Sequence, residues 1–277
     1  MGIIRGKQIA EGKTKTIFEH PSFSGFVYID SNDDITAGDG ERRLVIPGKG
    51  RFSTKTAAHC FHALRRHAIP NHFIEVVDFA TFRAQRAHMI PVEIVARRRA
   101  TGSYLKRHPN TPEGTYFDDL VIEFFLKDDT AHDPLMICNP VGNQILLFQP
   151  KKPISEGFIQ ALSPAGIFHA TSFAYEIERM REYALRTFVV IEKQWQRLNV
   201  ELIDLKIECG YNTAGDIIVA DVITNDEWRI WPGGDKAQER SKQVFRDTAT
   251  ITPEDIEKIR SNYEWVARET AKFFERV

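Results

Sequence analysis

The chain has 277 residues, 42% of them hydrophobic, with 37 basic and 38 acidic side chains, a net charge of −1 and a pI of about 6.8. That is enough apolar chain for one large or two modest domains, and too little net charge for a global field that would draw nucleic acid or an anionic membrane. Cys60, Cys138 and Cys209 are odd in number and far apart, which fits neither a disulfide framework nor a thiolate metal motif and suits a reducing, cytoplasmic setting. Met1 to Ala10 lacks the apolar core of a signal peptide, Gly2 is followed at position 6 by glycine rather than the hydroxyl residue of an acylation site, and no window is long and apolar enough to span a bilayer.

Ile9 to Phe18 reads as strand, turn, strand, with Gly12 at the bend. Phe26 to Ile29 is a short apolar strand, and Asp33 to Gly40 is loop material. Ser53 to His67 predicts a helix with Ser53 as N-cap and Ala57, Phe61 and Leu64 on one side. Phe73 to Val77, Val92 to Ala96 and Val121 to Leu126 predict strands. Pro134 to Pro153 is irregular and yields no clear element. Thr171 to Leu198 carries apolar residues at Phe173, Ile177, Met180, Ala184, Phe188, Ile191, Trp195 and Leu198, the stripe of a core-facing helix. The last helix opens at Thr252, with Pro253 at its first position and two acids after it. It buries Ile256, Ile259, Tyr263, Val266 and Phe273.

The stretch Glu201 to Asp235 holds the most chemistry. Ile203, Leu205, Ile207 and Cys209 alternate with Asp204, Lys206 and Glu208, the pattern of a half-buried strand. Asn212 to Asp216 is turn chemistry, and a second apolar run completes a hairpin. A turn centred between Ala214 and Gly215 sets Glu208 opposite Asp221. Like charges so placed repel, so a cation between them, Mg²⁺ for hard oxygen ligands, would relieve the pair. An edge strand with solvated charges is the competing reading.

Two further blocks suit anions. Glu11 to Lys15 could cover a triphosphate with the backbone of Gly12 and the charges of Lys13 and Lys15, although it lacks the upstream glycine of a Walker A loop; a plain basic turn is the alternative. In Pro91 to Arg107, Arg97 and Arg99 alternate at a strand end, Ala100 to Gly102 turn the chain and Ser103 opens a helix. That arrangement suits a phosphate monoester or carboxylate. It could also be a basic patch facing RNA or solvent, but no aromatics are interleaved for base stacking. Lys127 to Pro134 is an acidic loop with one lysine.

These blocks, in this order, resemble the SAICAR synthetase (phosphoribosylaminoimidazole-succinocarboxamide synthase) family. The matching stretches are Glu11–Lys15, Asp34–Gly38, Arg97–Arg107, Lys127–Pro134, Asp204–Gly210 and Asp221–Asp235, spread over nearly the whole chain. Ile-Thr-Ala-Gly and Trp-Arg-Ile-Trp-Pro-Gly-Gly-Asp are more similar to the animal-type branch, whose fused carboxylase domain is expected to be absent here. The resemblance implies an α+β fold, with residues 1–95 as an ATP-binding domain, residues 96–277 as a second α/β domain and the site in the cleft between them. It implies ligation of L-aspartate to carboxyaminoimidazole ribotide with ATP and Mg²⁺ in purine synthesis. By the same resemblance Gly12, Lys13 and Lys15 cover the ATP phosphates, and Glu208 and Asp221 hold Mg²⁺. Arg97, Ser103, Arg107 and Arg229 meet the ribotide, Lys127 and Asp133 lie near the substrates, and Asp204, Lys206 and Asp226 line the reacting centre, Asp204 as a candidate general base. Cys209 stands where the family often has an aromatic residue, and its side chain is expected in the core.

Partners on this reading are small molecules, with no nucleic acid and no membrane, and a homo-oligomer is left open. A small-molecule kinase would share the ATP, Mg²⁺ and basic blocks but use an alcohol acceptor. An RNA-binding module would use Arg97 to Arg107, show steep salt dependence and need no metal pair.

Overall fold

Two antiparallel sheets carry the architecture, and helices fill the space behind them. The computed structural model describes residues 3–38, 41–139, 141–168, 173–248 and 250–274. The first sheet has five strands: β1 (Gln8–Glu11), β2 (Lys15–Glu19), β3 (Phe26–Ser31), β6 (Phe73–Asp78) and β7 (Thr81–Gln85), in the order β1-β2-β3-β7-β6. A small hairpin, β4 (Asp34–Ala37) with β5 (Arg42–Val45), stands apart from it. The larger sheet joins β8 (His88–Arg99), β9 (Tyr116–Leu126), β10 (Leu135–Asn139), β11 (Gln144–Phe148), β12 (Gln160–Leu162), β13 (Val200–Tyr211) and β14 (Ile217–Ala220) in the order β12-β11-β10-β9-β8-β13-β14. The eighth strand, β15 (Trp228–Pro232), pairs with the first half of β13. The helices are α1 (Lys49–Arg66), a short α2 (Ser103–Arg107), α3 (Phe173–Gln196), a short α4 (Gln243–Asp247) and α5 (Pro253–Ala271). Among the described residues no helix is long and apolar enough to cross a membrane.

The main core is shared by both sheets. Phe173, Ile177, Met180, Ala184, Phe188, Ile191 and Trp195 of α3 share this core with Ile94, Ala96, Leu205, Ile207 and Cys209 of the larger sheet, Phe73 and Phe82 of the first, and Phe61 of α1. The expected start of α3 at Thr171 lies outside the described residues. At α5 the expected cap is present: the Thr252 hydroxyl accepts from the Asp255 amide at 3.2 Å, and the Asp255 carboxylate accepts from the Thr252 amide at 3.0 Å.

Three local readings are corrected. Helix α1 starts a turn before Ser53, after Gly48, because the Asp33 carboxylate accepts from the amides of Gly48 and Gly50 at 2.9 Å each and so caps the helix from a distant loop. Asp34–Ala37 is a strand, held by Ile35 in a second small core with Ile46, Phe52, Phe245 and Tyr263 and by Arg43 bidentate on Asp34 at 2.8 Å. Asp39 and Gly40 of that stretch lie outside the described residues. The irregular 134–153 segment contains the β10–β11 hairpin, whose Leu135 and Phe148 pack on Phe125. A boundary at 95/96 falls inside β8, which lies wholly in the larger sheet; the change of sheet comes between Gln85 and His88.

Gly50 distinguishes local propensity from tertiary packing. A glycine inside a helix ordinarily costs about 1 kcal/mol against alanine, so Gly50→Ala should stabilise an isolated α1. In the fold a Cβ there would lie 2.4 Å from the Ser31 carbonyl oxygen, which is backbone and cannot swing away. Gly50→Ala is therefore expected to destabilise the protein by about 1–3 kcal/mol, read as a lower urea midpoint at unchanged slope.

Candidate active site

The centre of β13 sets the geometry. The strand has β8 along one edge and β14 and β15 along the other, so it is interior rather than an edge. Leu205, Ile207 and Cys209 enter the main core, and the alternate residues Asp204, Lys206 and Glu208 face the other way. Across the β8 ladder Asp204 stands opposite Arg97, Lys206 opposite Val95 and Glu208 opposite Glu93. The opposed carboxylates are thus Glu208 and Glu93. In the β13–β14 hairpin Glu208 pairs with Ala220, one residue short of the expected Asp221. The second apolar run breaks at Asp221, whose φ of 62° takes it out of the strand.

Even so, Asp221 joins the same group of charges. Lys206 Nζ lies 3.1 Å from Glu93 and 3.1 Å from Glu208, which separates the like charges. The other Glu208 oxygen accepts from Lys127 at 2.7 Å. Lys15, at the start of β2, pairs with Asp221. For Lys206, Lys15 and Asp221 burial works against the charge, and mutual attraction overcomes it. Lys206 is held well above the usual lysine range by Glu208 and Glu93, and Lys15 is raised by Asp221 and Glu208. Asp221 is held well below the usual carboxylate range by Lys15 and Lys206. The β1–β2 turn lies over this cluster. The Gly12 amide bonds the Lys15 carbonyl at 2.8 Å, and Lys13 reaches Asp129 at 3.2 Å, both side chains in water. Among the described residues no three carboxylate, imidazole or thiol groups converge into a metal cage of their own.

Towards the other end of β13 the cations are guanidinium groups. Asp204 accepts from Arg97 at 3.0 Å, from Thr101 at 3.1 Å and from Arg229. Burial alone would raise its pKa, but Arg229 and Arg97 outweigh that and the net shift is downward. Asp204 thus stands as a carboxylate among three donors, Arg229 included. Arg97 is only 3% exposed, and its Nε donates to Glu123 at 2.6 Å. Arg107, 1% exposed, donates to Glu123 at 2.5 Å and to the Pro150 carbonyl at 2.7 Å. Both arginines are bonded to an acid inside the protein. Arg229 lies against Gly102, where a Cβ would come within 2.6 Å of its Nη2, and Ser103 begins α2 beside it. Asp133 turns into its own loop, accepting from the Asp128 amide at 2.9 Å.

Asp226 belongs to a third group. Lys49, 1% exposed at the start of α1, pairs with it at 2.8 Å, Lys242 lies 3.8 Å away and the Tyr263 hydroxyl donates at 2.5 Å. Burial opposes the charge, but Lys49 and Lys242 hold Asp226 well below the usual carboxylate range. Its neighbour Glu227 goes the other way, raised by burial and by Asp226 itself.

Glu93, Glu123, Lys49, Thr101 and Tyr263 were not legible as site residues. Only Glu93 carried a signal, since it shares a face of β8 with Arg97 by alternation. Lys49 and Tyr263 are brought to Asp226 by the packing of α1 on α5, which no local pattern encodes.

A family model described as SAICAR synthetase matches residues 8–262. The chain belongs to the SAICAR synthetase family. It is similar to the phosphoribosylaminoimidazole-succinocarboxamide synthase of Roseiflexus sp. (strain RS-1), 42% identical over 265 residues and covering 96% of each chain. It is also similar to a multifunctional protein of Gallus gallus, 39% identical over 264 residues and covering 95% of this chain and 57% of that one. A solved SAICAR synthetase in complex with ADP superposes with a TM-score of 0.71 at 27% identity, over 92% of this chain and 96% of that one. The family's α+β fold is the architecture described above.

The depressed carboxyls predict an acid response. A group whose folded pKa lies below its unfolded value contributes stability above the unfolded value and loses it as pH falls through the folded one. Asp226→Asn removes one such group and strands Lys49. The variant should be less stable than wild type at pH 7, and the gap should narrow below about pH 4, the ordinary carboxylate range. Denaturant midpoints measured across that range check it; a gap that widens on acidification contradicts the pairing.

Proposed function

We propose that the polar face of β13 joins the carboxylate of carboxyaminoimidazole ribotide to the amine of L-aspartate, with ATP converted to ADP and phosphate, to give SAICAR in purine synthesis. One observation supports this beyond family membership. Lysines from three separate elements, Lys15, Lys127 and Lys206, are interleaved with the carboxylates of Glu93, Glu208 and Asp221. A carboxylate is a poor electrophile and needs phosphorylation before an amine can attack it. Fixed positive charges beside acids able to hold a metal are what phosphoryl transfer uses.

In this reading Gly12, Lys13 and Lys15 cover the ATP phosphates. Glu208 and Asp221 would hold Mg²⁺; two hard oxygen ligands fit an ion that usually takes one or two carboxylates and completes its shell with water and substrate phosphates. When bound, the ion neutralises charge on the transferring group. Lys206 keeps Glu93 and Glu208 apart, and Lys127 sits where it can exchange Glu208 for an anionic substrate. Ser103 and Arg229 meet the ribotide directly. Arg97 and Arg107 serve it indirectly, through Glu123 and Asp204, by fixing the direction of Arg229. Asp226 anchors Lys49 and Lys242, and Asp133 shapes the loop that carries Lys127. The three thiols are free, in keeping with a reducing cytoplasm. The family branch is drawn more widely than animal-type, since a bacterial relative at 42% and an animal one at 39% stand almost equally near.

ADP release measured with each substrate omitted in turn tests the reaction. Full release should require both the ribotide and L-aspartate; release with a sugar or other alcohol acceptor and no aspartate favours a small-molecule kinase instead.

The metal ligands are tested separately. Glu208→Gln should raise the Mg²⁺ requirement and lower turnover. It should also reduce stability by about 1–3 kcal/mol, because Lys206 and Lys127 lose a charged acceptor. Asp221→Asn should raise the Mg²⁺ requirement likewise, and the double variant should fall far short of additivity, since both acids serve one ion. Additive losses would assign the two carboxylates to different tasks.

A further inference from the structure

The Asp221 backbone is left-handed, with φ at 62°, a conformation that favours glycine and that aspartate holds only when something fixes it. Its carbonyl oxygen lies 2.8 Å from Nε2 of His72. His72 comes from the entry to β6, far away in sequence, and is 3% exposed. Its own backbone is tied to the same segment. The His72 amide donates to the Val219 carbonyl at 3.0 Å, and the Val219 amide donates to the Pro70 carbonyl at 3.0 Å. The rings of Phe61 and Phe82 pack edgewise on the imidazole, at 5.2 and 5.8 Å between centroids, and fix its plane.

We propose that His72 is a positioning residue for Asp221: its Nε2–H, donated to the Asp221 carbonyl, holds the left-handed turn that aims the carboxylate at Lys15 and towards Glu208. This rests on the reading of Asp221 as a Mg²⁺ ligand. A carbonyl oxygen can only accept, so the bond requires the Nε2–H form of the ring. Without the donor, Asp221 loses the contact that favours its left-handed backbone, and the direction of its carboxylate becomes one of several. Lys15 alone would then orient it, and Lys15 is the group that the phosphates of ATP would draw away. The effect should therefore appear with nucleotide and metal together.

The experiment compares His72→Gln, whose side-chain amide reaches the Nε2 position with a donor, with His72→Leu, which keeps most of the volume and has none. Two quantities are read: the half-saturating Mg²⁺ concentration for ADP release, and the Mg²⁺-dependent gain in ADP affinity by calorimetry. His72→Leu should raise the first about tenfold and remove most of the second, while the KM for L-aspartate stays within about twofold. His72→Gln should stay within about twofold of wild type on both. On an Asp221→Asn background, His72→Leu should add no further Mg²⁺ requirement. If His72→Leu does not give folded protein, His72→Met takes its place with the same expectations. The proposal is overturned if glutamine is as poor as leucine, if leucine lowers turnover at unchanged Mg²⁺ dependence, or if its effect persists in full when Asp221 is already asparagine. If Asp221→Asn alone leaves the Mg²⁺ requirement unchanged, the metal reading has failed, and the role given to His72 is overturned with it.

Discussion

Three ionised side chains on one face of an interior strand have little bulk water to neutralise them. Asp204, Lys206 and Glu208 are in that position, and each needs a partner of opposite sign within reach. The elements around β13 meet this requirement. β8 supplies Arg97 and Glu93 from directly across the ladder, β15 supplies Arg229, and the β9–β10 loop supplies Lys127. Lys15 of the first sheet completes the set through Asp221, which ties the smaller sheet to the larger one at this face.

The partners are not distributed at random along the strand. Around Asp204 they are guanidinium groups, planar and always charged, with donors in fixed directions. Arg107, Glu123, Arg97, Asp204 and Arg229 form an alternating series in which each member is held by its neighbours. Such a series is rigid, and it presents one end, Arg229, beside Ser103. Around Glu208 the partners are ammonium groups on flexible stems. A lysine can leave one oxygen for another without dismantling the sheet, which suits a place where phosphate and metal come and go. Rigid recognition and exchangeable charge thus lie within a few residues of one strand.

The period-two pattern of β13, the Thr252 cap of α5 and the apolar stripe of α3 were legible because each is encoded within a turn or two of chain. The hairpin register was not. A turn centred half a residue earlier changes the partner of Glu208 from Asp221 to Ala220, and nothing in Asn212 to Asp216 distinguishes the two. Asp221 reaches the cluster through a left-handed backbone instead of through register, which composition does not announce. Ser53 failed as a cap because the real acceptor, Asp33, lies outside the helix altogether. That Arg97 and Arg107 share the acid Glu123 was not legible, because Glu123 sits in a strand whose pattern gave no sign of it. Sequence located the charged segments correctly and left open which charges face a substrate and which face each other.

Lys49, Asp226 and Tyr263 meet in one buried group although the ribosome delivers them far apart in time. When α1 emerges, Lys49 has not yet met Asp226, and the second small core still lacks Phe245, Ile259 and Tyr263. The second small core and the buried group around Lys49 are therefore complete only once α5 has docked. A destabilised α5 would accordingly be felt first as low yield of assembled protein in the cell, before any loss of activity per folded molecule.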